Sequence, residues 1–576
     1  MIRWLKVHGW WVAGLVLCGY KLSLLRSQHI YAISNAHHDD GLFMRLAGHL
    51  ARGEWLGPYD QMTLAKGPAY PMFIAMNFWA GLPLGLSQQI LYLVACLLVV
   101  AALAPVLKPG WARLGVLLLL FYNPLTYEGE QMTRILRQHL TVPLALIVIA
   151  GLIALVLKRK DFRWEVNGPW AVLTGSALGV FFLTREEGIW IMPAVAMVAV
   201  AMLVEAVLRG KAATVRAALV WVAVGLTAWI PITWVSLQNQ KHYGWYGTVD
   251  FKADEFAAAM GALMRVEEGP NLPYVRVSAE ARRAIYGVSP AFAELEPHLE
   301  SGWIADKWME STRFPREEGQ YLTGWFGWAL RDAIAEAGYA SNPQMFLAFC
   351  ERVATEINEA CEQGLVAAGR ARSGFMPRWH EDYAEAMKTE WRAYGQEVIR
   401  LTRFETIVPE STGSDDEIRP FVDLSYDNLS PAPRATYFHK PDQIEQNRWK
   451  LDRLRWFGQN LGALYAGLIK IGLLLLLARG LERLIRRRWS WLTWLAVAVA
   501  GAIGAELSIN FLVHTMAFEN FYPAAWAPAY PLLLLVFALM IIEVVNCWIR
   551  PGWTRLRGRQ ATPVDETSTA TKGSGD

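Results

Sequence analysis

The sequence predicts an all-α, polytopic membrane protein of about ten transmembrane helices, with interfacial helices in the first outer loop and a mainly helical extracytoplasmic insertion. Composition is the first reason. Of 576 residues 54% are hydrophobic and 27 are Trp, yet 19% are charged, and the mean hydropathy is +0.20. That is too apolar for a soluble domain and too charged for a bare bundle. The second reason is distribution: long apolar segments fall on either side of a stretch, 238–457, that carries charge throughout and holds no apolar run long enough to cross a bilayer. The third is that clusters of Lys and Arg alternate along the chain with loops that lack them.

The first apolar segment, 10–25, follows Arg3 and Lys6, which the positive-inside rule places on the cytoplasmic side. A secretory signal would end in a small-residue cleavage site, but Tyr20 and Lys21 stand there, so the segment is expected to stay as an anchor. Further apolar segments lie at 88–107, 112–125, 138–157, 169–184, 189–208, 217–237, 459–478, 489–512 and 526–547, of which 112–125 and 169–184 are short. The basic clusters 108–113, 158–163, 209–216, 479–488 and 550–559 all fall inside if ten spans leave both termini cytoplasmic. Residues 69–86, rich in Pro, Gly and aromatics, could span or lie in the interface; the interfacial arrangement keeps Lys108 and Arg113 inside.

The expected organisation is therefore an N-terminal transmembrane module, 1–237; an extracytoplasmic helical domain, 238–457; C-terminal transmembrane helices, 458–548; and a polar cytoplasmic tail, 549–576, expected to be disordered. Within the insertion, 254–268, 278–293, 343–371 and 381–402 show helical periodicity, while 405–444, rich in Pro, Ser, Asp and Asn, reads as loop. Cys18, Cys96 and Cys547 lie in or beside membrane helices. Cys350 and Cys361 on one helix would stand about 16 Å apart, beyond a disulfide's reach. No Cys/His spacing suggests zinc. The net charge of +3, with basic residues scattered through short loops, excludes a nucleic-acid partner.

The chemistry-bearing residues begin in the first outer loop. Asp39 and Asp40 are adjacent carboxylates just after the first apolar segment, and Lys66, in Lys66-Gly67-Pro68, precedes the next. A carboxylate can take a proton from a hydroxyl and a lysine can hold a phosphate. Between them Leu42, Phe43, Leu46, Ala47 and Leu50 recur at helical spacing, as in a helix lying in the interface plane. Glu130 and Arg134 are spaced to pair along a helix, with Glu128 before them and Arg137 beyond; a self-neutralising interfacial pair explains them equally well. Arg185, Glu186 and Glu187 stand at the outer end of an apolar helix, where charge is costly unless paired or functional, though a helix-end anchor accounts for them too. The aromatics and prolines of 514–530 need only an aromatic belt. All the promising groups share the outer face under this topology.

The Asp39-Asp40 pair, the amphipathic run ending in Gly53-Glu54-Trp55, the Lys66-Gly67-Pro68 element and Thr184-Arg185-Glu186-Glu187-Gly188 resemble motifs of GT-C glycosyltransferases. The resemblance is to the branch containing lipid A aminoarabinose transferases and protein O-mannosyltransferases, and it covers about the first two hundred residues. Gly67 stands where the family usually has proline, and Leu42 and Phe43 where it often has arginine and tyrosine. The resemblance implies an inverting transfer of sugar from a polyprenyl-phosphate donor to an acceptor hydroxyl of a lipid, glycan or protein, at the outer face of a bacterial inner (plasma) membrane. Asp39 or Asp40 would be the catalytic base; Lys66, Arg134, Arg137 and Arg185 would hold the donor phosphate; and Glu128, Glu130, Glu186 and Glu187 would serve acceptor or metal. A divalent cation, Mg or Mn, is open as cofactor, with His38 and Asp40 as ligand candidates. The rivals are a transporter or lipid-binding protein without chemistry, a lipid-linked oligosaccharide ligase and a lipid phosphotransferase. Against a transporter, ionisable groups are nearly absent from the middles of the apolar segments.

Overall fold

The computed structural model describes residues 2–28, 30–34, 36–127, 133–160, 163–185, 188–272, 274–309, 315–377, 379–400, 411–427, 441–487, 489–517 and 523–549. Glu128, Glu130, Glu186, Glu187 and the tail beyond 549 lie outside them.

Each apolar segment is a helix. The first half comprises α1 (Ile2–Leu25), α2 (Asp40–Ala51), α3 (Ala69–Trp79), α4 (Leu84–Leu103), α5 (Gly110–Phe121), α6 (Gln138–Lys158), α7 (Trp164–Thr184), α8 (Met192–Arg209) and α9 (Lys211–Tyr243). Among the described residues 8 helices are long and apolar enough to cross a membrane, while Gly9–Leu25 of α1 and Gly110–Phe121 are shorter. The 11 residues of α3 extend only about 16 Å, short of the ~30 Å hydrocarbon core; α3 packs on α2 instead of crossing.

The bundle is built around α6, whose residues from Gln138 to Val156 are all buried. A helix apolar on every face must be covered on every face, and α4 and α7 supply most of the cover. Helix α7 approaches α9 closely because Gly175 and Gly179 face it: a Cβ at either position would collide with the carbonyl of Val224 or Ala228. This is the small-xxx-small contact that lets membrane helices touch backbone to backbone. Lys21 is buried at the end of α1, where its ammonium donates to the Phe121 carbonyl and lies 4.1 Å from the Phe121 ring, fastening α1 to α5.

The insertion has a core of its own, in which α10 (Asp254–Leu263), α11 (Thr323–Glu336) and α12 (Pro343–Glu362) bury Phe256, Phe326 and Phe346. Both Cys350 and Cys361 lie on α12 and are free thiols. The next helix, α13 (Glu381–Arg400), leaves that core and packs on a membrane helix described below, with Tyr394 donating to the Leu507 carbonyl at 3.0 Å.

The expected loop 405–444 is corrected in part. It contains α14 (Asp415–Ser425), opened by a capping box between Ser414 and Glu417, and Ile418, Phe421 and Leu424 are buried on it as it packs against α2. Pro, Ser and Asp read as loop residues, but Ser-x-x-Glu ahead of an apolar period is also a helix start. The C-terminal group is α15 (Pro441–Arg486), which begins well before the apolar segment that it contains, α16 (Trp491–Met516), the helix beneath α13, and α17 (Ala529–Val544).

Candidate active site

Asp39 is the N-cap residue of α2, yet its side chain makes no capping hydrogen bond. It turns instead to Lys66, whose ammonium donates to Asp39 Oδ1. Burial alone would push the Asp39 carboxyl up, but Lys66, then His38 and Arg137, override it and hold the group at about 2. Asp40 sits in the first turn of α2 and is fully buried, held by Arg134 through Nε and Nη2, each 3.1 Å from Oδ2. There burial wins over the pull of Arg134, and the carboxyl rises to about 6. The two adjacent carboxylates thus have opposite environments: Asp39 is about a quarter exposed at 26%, Asp40 not at all.

The segment that brings Arg134 here is a short bridge. Tyr31 pairs with Arg134 and Ile33 with Thr412 as isolated β-bridges, so the strand-like stretch before α2 is held between the approach to α6 and the segment before α14. Gly413, with φ +122, has Ser34 where a side chain would go, so only glycine fits this crossing. Arg137 caps α6; its guanidinium lies 5.9 Å from the Phe43 ring and reaches the Thr184 carbonyl at 3.4 Å. Arg185 follows Thr184, beyond the end of α7, and its charge acts on the buried Glu506. Asp39, Asp40, Lys66, Arg134 and Arg137 come together, Arg185 is linked to them only through the carbonyl of Thr184 before it, and the four glutamates of the sequence reading lie outside the described residues.

The loop carrying Lys66 is fixed by the insertion. Arg331 of α11 and Asp250 form an ion pair at 2.8 Å with neither side chain exposed. Arg331 Nε also donates to the Gln61 carbonyl at 2.8 Å, Tyr59 donates to Asp250 at 2.7 Å, and the Asp250 amide donates to the Leu64 carbonyl at 3.0 Å. Residues 59–64 are thereby clamped on the approach to Lys66, which is itself buried.

Sequence reasoning missed the roof of the site. His38 is enclosed by Trp308, Trp325 and Trp328, with ring centroids at 5.6, 5.7 and 5.8 Å, and the Lys66 ammonium lies 5.3 Å from the Trp328 ring. Burial among these rings drives the His38 imidazole down to about 4 despite neighbouring Asp39, so it is neutral near pH 7. The signal was the density of tryptophan between 303 and 328, but composition does not say which face a tryptophan covers.

The residues present do not fit a divalent cation at His38 and Asp40. Arg134 occupies the Asp40 oxygens, Lys66 occupies Asp39, and among the described residues no group of three or more His, Cys, Asp and Glu is placed to hold a metal. What the site offers is a row of cations beside one accessible carboxylate under an aromatic cover. Such a row can stabilise an anion that develops in place.

No protein-family model matches the chain, and no curated protein matches it. Solved structures similar to it include ArnT from Cupriavidus metallidurans bound to undecaprenyl phosphate, at 14% identity and a TM-score of 0.31 over 96% of this chain and 81% of that one, and ArnT from the same organism in the apo state, at 14% identity and a TM-score of 0.30 over 94% of this chain and 78% of that one.

Proposed function

We propose that the protein is a membrane glycosyltransferase of GT-C type that moves a sugar from a polyprenyl-phosphate donor to an acceptor hydroxyl on the extracytoplasmic side of a bacterial inner membrane, with inversion at the anomeric carbon. The observation that carries it is the convergence of Asp39, Lys66, Arg134 and Arg137 on one spot beside the bundle. Asp39 and Lys66 lie in the elements that resemble family motifs, and Arg134 and Arg137 are the arginines expected to face the phosphate.

In the reaction the acceptor oxygen attacks the anomeric carbon while the bond from that carbon to the phosphate oxygen breaks, and its electron pair leaves with polyprenyl phosphate. The acceptor proton passes to Asp39. Lys66, Arg137 and Arg185 receive the charge that grows on the leaving phosphate, which is the main requirement when the leaving group is an anion. Asp40 is a positioning residue: it holds Arg134 and has no exposed face of its own. Lys66 links donor binding to base strength. Without donor its ammonium compensates Asp39; a phosphate that shares the ammonium weakens that compensation and makes Asp39 a better base.

The test is incubation of the purified protein with a panel of polyprenyl-phosphate sugars and a hydroxyl acceptor mixture, scored by release of free polyprenyl phosphate. Release with at least one donor supports a transferase. Binding of donors with release from none supports a lipid binder or transporter.

A further inference from the structure

Helix α6 carries Arg137 at its start and Arg159 just beyond its end, 21 helical residues on, which is about 32 Å away. At that far end, between the ends of α6, α7, α8 and α9, lies a cavity of about 230 Å³. Its polar lining includes Arg159, Lys160, Arg209, Arg216 and, among the described residues, a single carboxylate, Glu205. Glu205 accepts from Arg159 at 2.6 Å and also pairs with Arg209, and Arg159 is further held 4.1 Å from the Trp491 ring. Among the described lining residues three positive charges remain in excess, and neither Lys160 nor Arg216 has a carboxylate partner among the described residues. The floor is apolar, with Leu155, Met202 and Val220 from the spanning parts of three helices.

We propose that this cavity binds the phosphate of an anionic phospholipid from the leaflet opposite the active site. The cations sit where helices end and loops begin, the level of a headgroup, and the apolar floor leads into the bilayer where acyl chains run. A basic pocket between membrane helices suits such a headgroup. The volume takes a glycerophosphate, not a whole lipid. Bound there, the lipid joins α6 and α7, which end at the active site, to the turn between α8 and α9.

The test compares thermal unfolding of the full-length protein in uncharged detergent with phosphatidylglycerol, with phosphatidylcholine and with inorganic phosphate. Phosphatidylglycerol is expected to raise the midpoint by several degrees, as a ligand of the folded state must, and the effect is expected to shrink in high salt. The double variant Lys160→Gln/Arg216→Gln is expected to lose most of the shift while keeping its lipid-free midpoint and its release of polyprenyl phosphate. An equal shift with phosphatidylcholine, a shift with inorganic phosphate alone, or an undiminished shift in the variant would overturn the proposal. If the double variant does not fold, native mass spectrometry of the single Arg216→Gln protein decides: unchanged retention of phosphatidylglycerol contradicts the site, and reduced retention supports it.

Discussion

Lys66 and Asp39, 27 residues apart in the chain, form a direct ion pair beneath the Trp328 ring. A donor phosphate that binds here must share the lysine with the carboxylate. Lys66→Met keeps most of the side-chain packing and removes a charge-assisted contact of about 1.5–3 kcal/mol. Donor affinity is expected to fall about tenfold or more, with part recovered by Lys66→Arg. Calorimetric titration with a non-transferable donor checks this; unchanged affinity in a normally stable Lys66→Met protein contradicts a phosphate role for Lys66.

The two aspartates are expected to fail differently. Asp39→Asn removes the base and should cost roughly two to four orders of magnitude in turnover, with donor binding and thermal stability retained. Asp40→Asn leaves Arg134 without its buried partner and should destabilise the fold by about 3 kcal/mol. Unfolding curves beside turnover distinguish them, and equal loss of stability in both variants would contradict the division of roles.

The pH profile follows from the same division. As pH falls through about 6, Asp40 takes up a proton and its grip on Arg134 weakens, so kcat/KM is expected to fall on the acid side with a midpoint near 6. Asp39, held at about 2, and His38, held at about 4, titrate below that limb. In Asp40→Asn the residual activity should lack the inflection. Its survival there would assign the limb to another group.

The helices were legible because a membrane demands long apolar runs, and that demand is written in α4, in α6 to α9 and in α15 to α17. Asp39, Asp40 and Lys66 were legible because charge beside an apolar helix needs a reason. What could not be read was long-range pairing: that Arg134 would reach back to Asp40, or that Arg331 would reach back to Gln61 and Asp250. Such contacts depend on how loops cross, and no local period encodes that. Helix α14 was missed for a different reason: turn-forming residues masked its capping box.

The tryptophan roof gives a further prediction. Trp328 touches both Lys66 and His38, and a cation over an aromatic face contributes about 0.5–2 kcal/mol. Trp328→Ala is expected to weaken donor binding severalfold and to return His38 toward an ordinary imidazole pKa, visible by NMR titration. A His38 that still titrates near 4 in this variant would show that the roof is not what dries the site.

The most direct measurement of the central claim is a single-turnover reaction with the best donor of the panel, following polyprenyl phosphate and glycosylated acceptor together in wild type, Asp39→Asn and Lys66→Met. The expected result is equal amounts of both products in wild type, bound but uncleaved donor in Asp39→Asn, and weak donor capture in Lys66→Met. Cleavage that proceeds at the wild-type rate in Asp39→Asn, or donor that binds wild type and is never cleaved, would contradict it.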